Sequence, residues 1–207
     1  MRKLVISPHI DDDILGCGGI LDNETLVVYC GADESLLNNR PPMQIRIDEA
    51  ELASDYLGYK YILLDNKVNN YKIPDLIGSF EKIINENHPD EIYIPYPSYN
   101  QDHRTTYDAC MVALRPHDIN FFVNTVFVYE QPHVFLWDNA HNISSSFKPN
   151  YFKEIDIEKK IKSYKFMKSQ VRPFRSPEIL RSMAMLRGSQ SNCQYAEAFQ
   201  LIRKAEK

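Results

Sequence analysis

No apolar run in this 207-residue chain approaches the roughly 20 residues that a bilayer-crossing helix needs. The basic start Met1-Arg2-Lys3 leads into only Leu4-Val5-Ile6 before Ser7-Pro8-His9 interrupts it. A secretory signal core takes roughly 7–15 apolar residues, so a cytoplasmic protein is expected. Cysteine is sparse. Cys17, Cys30, Cys110 and Cys193 form no C-x-x-C pair, and two lie in apolar segments, which favours buried free thiols over disulfides or a thiolate metal site. An excess of basic charge is also missing. With 24 Lys+Arg against 28 Asp+Glu the formal net charge is -4, so neither nucleic acid nor an anionic membrane is an expected partner. No repeat, low-complexity tract or linker divides the chain. With 43% hydrophobic and 25% charged residues it reads as an ordinary globular protein, and one domain over residues 1–207 is expected. Its oligomeric state, a homo-oligomer included, is left open.

What is present is an alternation of short β-branched runs with helical patterns, the mark of βαβ units and a mainly parallel sheet. Strands are predicted at Leu4–Ser7, Thr25–Tyr29, Tyr59–Leu64, Glu91–Pro95 and Thr125–Tyr129. Helices are predicted from Pro42 to a left-handed cap at Gly58, from Pro74, from near Arg104 to Leu114 before Pro116, and over Ile157–Ser169 and Pro177–Arg187. Ala196–Ile202 fits helix or strand. Glu130–Asn150 has no clear period, and loops of that length are often functional.

Directly after the first strand comes Pro8-His9-Ile10-Asp11-Asp12-Asp13-Ile14-Leu15-Gly16-Cys17-Gly18-Gly19. Ligands of open α/β sheets bind outside the carboxyl ends of the strands, and this is such an end. Three adjacent carboxylates repel one another. An acidic helix start would ease part of that, but a metal resolves it and also uses His9. Hydrolytic zinc sites take three ligands from His and Asp/Glu and keep a position for water. His9 and Asp12 would supply two, with Asp11 free to act as a general base. The fourth strand ends the same way, in Ser98-Tyr99-Asn100-Gln101-Asp102-His103-Arg104. Alone, His103 reads as a helix cap; with both strand ends on one rim it becomes a ligand candidate. His88 and His117 read as solvated turn residues, while His133 and His141 fall in the long irregular stretch.

Pro8-His9-x-Asp11-Asp12-Asp13 with Leu15-Gly16-Cys17-Gly18-Gly19, and later Asn100-x-Asp102-His103-Arg104, resemble the PIG-L (LmbE-like) family of zinc-dependent N-deacetylases. Arg46-x-x-Glu49 with Leu57-Gly58, Tyr129-Glu130, Arg187-Gly188 and Tyr195-Ala196-Glu197-Ala198-Phe199 are similar to further segments of that family. The resemblance implies a single-domain, Rossmann-like three-layer α/β sandwich with its active site at the carboxyl ends of the strands. It implies one Zn²⁺ held by His9, Asp12 and His103, with Asp11 as base, and a small-molecule substrate carrying an N-acetyl group on an amino sugar or sugar conjugate. Asp102 would orient the helix start or His103. Arg46 is a substrate-binding candidate, or else an i,i+3 partner of Glu49. Tyr195 and His133 are further substrate-binding candidates. Two departures bear on the chemistry. Asp13 stands where the family has Glu, one methylene shorter toward an outer-shell contact. Asn100 stands where many members have a His credited with oxyanion binding or protonation of the leaving amine; Asn can donate a hydrogen bond but no proton.

Other classes stay open from the sequence: a signalling receiver domain with Asp65 as the phosphorylated residue, a metal-dependent phosphoesterase, and a binding module that has lost turnover. Specificity is expected in the irregular segments Ala32–Pro42, Glu130–Asn150 and Val171–Ser176, with Trp137 a candidate for stacking on a sugar.

Overall fold

The computed structural model describes residues 2–35, 37, 40–132, 137 and 147–206. Among the described residues, seven strands form one sheet in the order β3-β2-β1-β4-β5-β7-β6. These are β1 (Lys3–Ser7), β2 (Thr25–Tyr29), β3 (Lys60–Leu63), β4 (Glu91–Pro95), β5 (Thr125–Tyr129), β6 (Tyr151–Glu154) and β7 (Ala196–Lys204). The first five are mutually parallel, while β7 runs antiparallel to β5 and to β6. The helices are α1 (Asp12–Cys17), α2 (Met43–Leu57), α3 (Ile73–Asn87), α4 (Gln101–Ala113), α5 (Ile157–Tyr164) and α6 (Pro177–Gln190).

Both faces of the sheet are covered, which is why the parallel strands read as continuous apolar runs. Val5, Val27, Tyr93 and Phe127 point to the layer of α1, α2, α5 and α6. Their neighbours Leu4, Ile6, Val28 and Ile94 point to the layer of α3 and α4. The resulting three-layer α/β sandwich is the architecture the sequence implied. Cys17, Cys30 and Cys110 are buried free thiols, and Cys193 is half-buried and also free.

Local signals set most of the ends. Pro42 precedes α2, and Gly58 closes it in the left-handed region at φ 86°. Pro74 lies in the first turn of α3. α4 begins at Gln101, earlier than expected, because the Asn100 side chain accepts the Asp102 N–H at 2.8 Å and caps it there. α5 stops at Tyr164, short of Ser169. Ala196–Ile202 is part of a strand, and β6 has no counterpart among the expected elements.

β1 is central. The chain leaves it toward β2 and β3 on one side and returns through α3 to β4 on the other, so the carboxyl ends of β1 and β4 flank the point where the strand order reverses. Crevices for ligands open at such points. Among the described residues no helix is long and apolar enough to cross a membrane.

Candidate active site

The turn after β1 is pinned from several sides. Ser7 Oγ donates to the His9 carbonyl at 2.7 Å and accepts the Asp13 N–H at 3.0 Å, while Tyr71 donates its hydroxyl to the Pro8 carbonyl at 2.7 Å. Within this frame Asp11 has φ 152° and ψ -24°. Non-glycine residues seldom adopt such a conformation, and holding one there costs about 1–3 kcal/mol. The twist sends adjacent carboxylates to different partners.

Asp12 faces two histidines. Its Oδ2 lies 3.1 Å from His9 Nδ1 and 3.2 Å from His103 Nε2. One ligand atom from each of His9, Asp12 and His103 lies within 4.8 Å of the others. The other Asp12 oxygen, Oδ1, accepts from Gln131 Nε2 at 2.6 Å, which leaves Oδ2 for the cluster. Behind His9, Nε2 lies 3.0 Å from Asp102 Oδ2, and that oxygen also accepts the Asn69 N–H at 2.6 Å. Asn69 offers its N–H from the left-handed region at φ 67°, which Asn tolerates better than most residues. The Asp102 carboxylate thus contacts His9 and the Asn69 N–H, where the expected neighbour was the helix start or His103. The chain crossing from β1 to β4 makes His9 the imidazole that its carboxylate reaches.

Burial alone would pull the His9 imidazole down. The hydrogen bonds and charges of Asp102 and Asp12 outweigh that and raise it from 6.5 to about 10. The same arrangement fits a divalent metal. Two imidazoles and one carboxylate converge, and a second carboxylate sits behind one imidazole to fix its tautomer, the pattern of zinc sites with an oriented ligand. His9, Asp12 and His103 are the residues that would hold the ion.

Asp11 points instead to guanidinium groups, with Arg175 Nη1 at 3.0 Å from Oδ2 and Arg46 Nη2 at 3.7 Å from Oδ1. Burial pushes its carboxyl above the ordinary range, against the pull of Arg175. Arg46 also donates to the Ile10 carbonyl and to Ser169 Oγ, and it lies 4.0 Å from Glu49, its expected i,i+3 partner. Asp13 turns into the core, where its Oδ2 accepts the Tyr29 hydroxyl at 2.9 Å.

A cavity of about 360 Å³ opens over the cluster, and His9, Asp11, Asp12, Arg46, Asn100 and His103 all reach it. Tyr195 does not. It stands at the start of β7 with the Arg181 guanidinium over its ring at 6.0 Å, because β7 is separated from β1 and β4 by β5. His133 and His141 lie outside the described residues. His88 stacks on Phe121, and His117 accepts the Ile119 N–H, so neither belongs to the site. Trp137 is exposed and is not among the residues that line the cavity; of the described Tyr, Phe and Trp residues, Tyr99 and Phe174 do. Asp65 is exposed and also stands apart from the cavity. Gln131, Asn69, Arg172 and Arg175 were not foreseen individually. The two arginines fall in the irregular Val171–Ser176 segment, where specificity was expected.

Residues 4–114 match the profile of the PIG-L family, described as GlcNAc-PI de-N-acetylase. The chain belongs to the PIG-L family. This sets the receiver reading aside. No curated protein matches the sequence. Among solved structures, this PIG-L chain is similar to the N,N'-diacetylchitobiose deacetylase from Pyrococcus horikoshii, with TM-score 0.78 and 22% identity over 98% of this chain and 84% of that one. It is also similar to GalB, the 4-carboxy-2-hydroxymuconate hydratase from Pseudomonas putida KT2440, with TM-score 0.75 and 18% identity over 100% of this chain and 98% of that one. A third is the zinc-inhibited form of teicoplanin deacetylase Orf2, with TM-score 0.71 and 18% identity over 100% of both chains. At these identities the likeness establishes the fold that the PIG-L chain shares with them. That fold carries both deacetylases and a hydratase, so the reaction is argued from the site.

Proposed function

We propose that this protein is a zinc-dependent N-deacetylase that hydrolyses the acetamide of an amino sugar or sugar conjugate to acetate and a free amine. The observation that carries the reading is the convergence of His9, Asp12 and His103 on one side of a single cavity with Asp11 beside them. Zn²⁺ bound there would polarise the acetamide carbonyl and make water acidic enough to be deprotonated near neutral pH.

The remaining chemistry belongs to the chain. Asp11 accepts a proton from the attacking water, and its raised proton affinity suits a base that must later give that proton back. Arg175 and Arg46 fix the direction of its carboxylate. The amine leaves poorly without a proton, and Asn100 cannot donate one, so Asp11 delivers it to the nitrogen. Asn100 Oδ1 is engaged in capping α4, which leaves its Nδ2 as the donor for the developing oxyanion. Asp102 acts as a positioning residue through His9. Half-exposed Tyr99 and Phe174 offer apolar faces to a sugar ring.

Acetate release from a panel of N-acetylated sugars, measured with zinc-loaded wild type and Asp11→Asn, tests the reading. We expect release by the wild type and a loss of roughly 10²–10⁴-fold in the variant. An unchanged rate in Asp11→Asn would remove Asp11 from the reaction. A zinc-loaded protein that releases no acetate but cleaves a generic phosphate ester would establish the phosphoesterase alternative.

A further inference from the structure

The cavity wall holds more positive charge than hydrolysis of a neutral acetamide needs. Arg40, Arg46, Arg172 and Arg175 all line it, against the carboxylates Asp11, Asp12 and Glu34. Two of these arginines are committed. Arg46 holds Ile10, Ser169 and Asp11, and Arg175 holds Asp11 and Gln170. The other two are not. The hydrogen bond of Arg172 is to the carbonyl of its own neighbour Val171, and neither Arg172 nor Arg40 has a carboxylate within ion-pair distance among the described residues. Arg175 Nε is buried and likewise finds no hydrogen-bond partner among them.

A half-buried guanidinium facing a ligand cavity without a counter-ion is a site for one. Its planar fork matches the oxygens of carboxylate or phosphate with paired hydrogen bonds. The structure assigns to the substrate an anionic oxygen group, carboxylate or phosphate, seated on Arg172 with Arg40 at the exposed rim of the same cavity. This deepens the deacetylase reading and rests on it: the acetamide lies at the His9–Asp12–His103 cluster, and the anion belongs to the part of the conjugate that is retained in the amine product. Arg172 is then a specificity residue that takes no part in the bond-breaking step.

The test measures binding of the amine products, which are not turned over. Zinc-loaded wild type, Arg172→Gln and Arg172→Lys are titrated calorimetrically with glucosamine, glucosamine 1-phosphate and the carboxymethyl glycoside of glucosamine. We expect one or both anionic sugars to bind wild type roughly 10–100-fold more tightly than glucosamine. The one that gains tells phosphate from carboxylate. In Arg172→Gln the gain should vanish, and in Arg172→Lys, which keeps the charge without the fork, part of it should survive. Arg172 bonds only locally within the described chain, so the variants should melt with wild type. Equal affinity of all three sugars for wild type, or a gain that persists in Arg172→Gln, overturns the proposal. Acetate release from the corresponding N-acetyl sugars separates it from the parent reading. An Arg172-dependent gain without any acetate release rejects the deacetylase assignment and keeps the anion site. Equal kcat/KM for neutral and anionic sugars does the reverse.

Discussion

Asp13 lies next to a metal-ligand candidate yet behaves as a core residue. Burial raises its carboxyl from 3.8 to about 7, with the Tyr29 hydroxyl opposing that rise, and Tyr29 is itself 2.9 Å from the Tyr59 hydroxyl. A group whose folded pKa lies above its unfolded value contributes stability that is complete below the unfolded value and is lost as pH rises through the folded one. In the metal-free wild type the contribution of Asp13 should therefore be lost as pH rises from about 4 to about 7. Asp13→Asn, which cannot ionise, should show a flatter dependence in urea-unfolding midpoints, and identical slopes would contradict this assignment. Asp102 acts on the other side of the same turn. Replacing it with Asn removes the charged acceptor behind His9, and zinc affinity measured by chelator competition should fall roughly 10–100-fold. Unchanged affinity would mean that His9 needs no such support.

α1 is only six residues long, and its seat on the sheet decides where Asp12 points. Gly16 lets it approach: a Cβ there would stand 2.3 Å from the Tyr129 ring and 3.0 Å from the Glu130 carbonyl. Gly16→Ala should cost about 1–3 kcal/mol by overpacking, lowering Tm by about 2–4 °C for each of them in a chain of this size. An unaltered Tm would contradict the close contact. The same scale shows what could be read from the sequence. The five parallel strands were legible because burial on both faces makes them short apolar runs bounded by turn residues. β7 was ambiguous because Ala-Glu-Ala-Phe-Gln-Leu-Ile satisfies both a two-residue and a helical period. β6, Tyr-Phe-Lys-Glu, is too short to show either. Ser169, which the pattern placed in this helix, lies beyond the end of α5, where Glu49 accepts both its N–H and its hydroxyl at 2.6 Å, a partner that no local signal announces. In the site, the Asp11–Asp13 run and the Asp102-His103 pair announced themselves by clustering at strand ends. Gln131, Asn69, Arg172 and Arg175 are single polar residues in irregular backbone, and only the folded chain brings them to the cavity.

At the scale of the whole molecule, a formal charge of -4 says little about the cavity, where arginines outnumber carboxylates among the described residues. A ligand that binds only the folded state stabilises it in proportion to the logarithm of its excess. Free zinc at 100 times its Kd adds about 2.7 kcal/mol, which should raise Tm by about 5–11 °C. His103→Ala should abolish that rise in calorimetry, and a rise that persists would place the zinc elsewhere. The contact between His9 and Asp102 joins residues 93 positions apart in the chain. The proposed metal centre, assembled from both sides of the β1–β4 pairing, has no local precursor, because loop closure across that distance must come before any ligand geometry exists. Zinc should then enter late in refolding. In stopped-flow experiments, uptake followed with a chromophoric indicator should lag the return of helical ellipticity, and uptake that keeps pace with it would contradict this order. The ion would secure the finished fold without guiding the chain toward it.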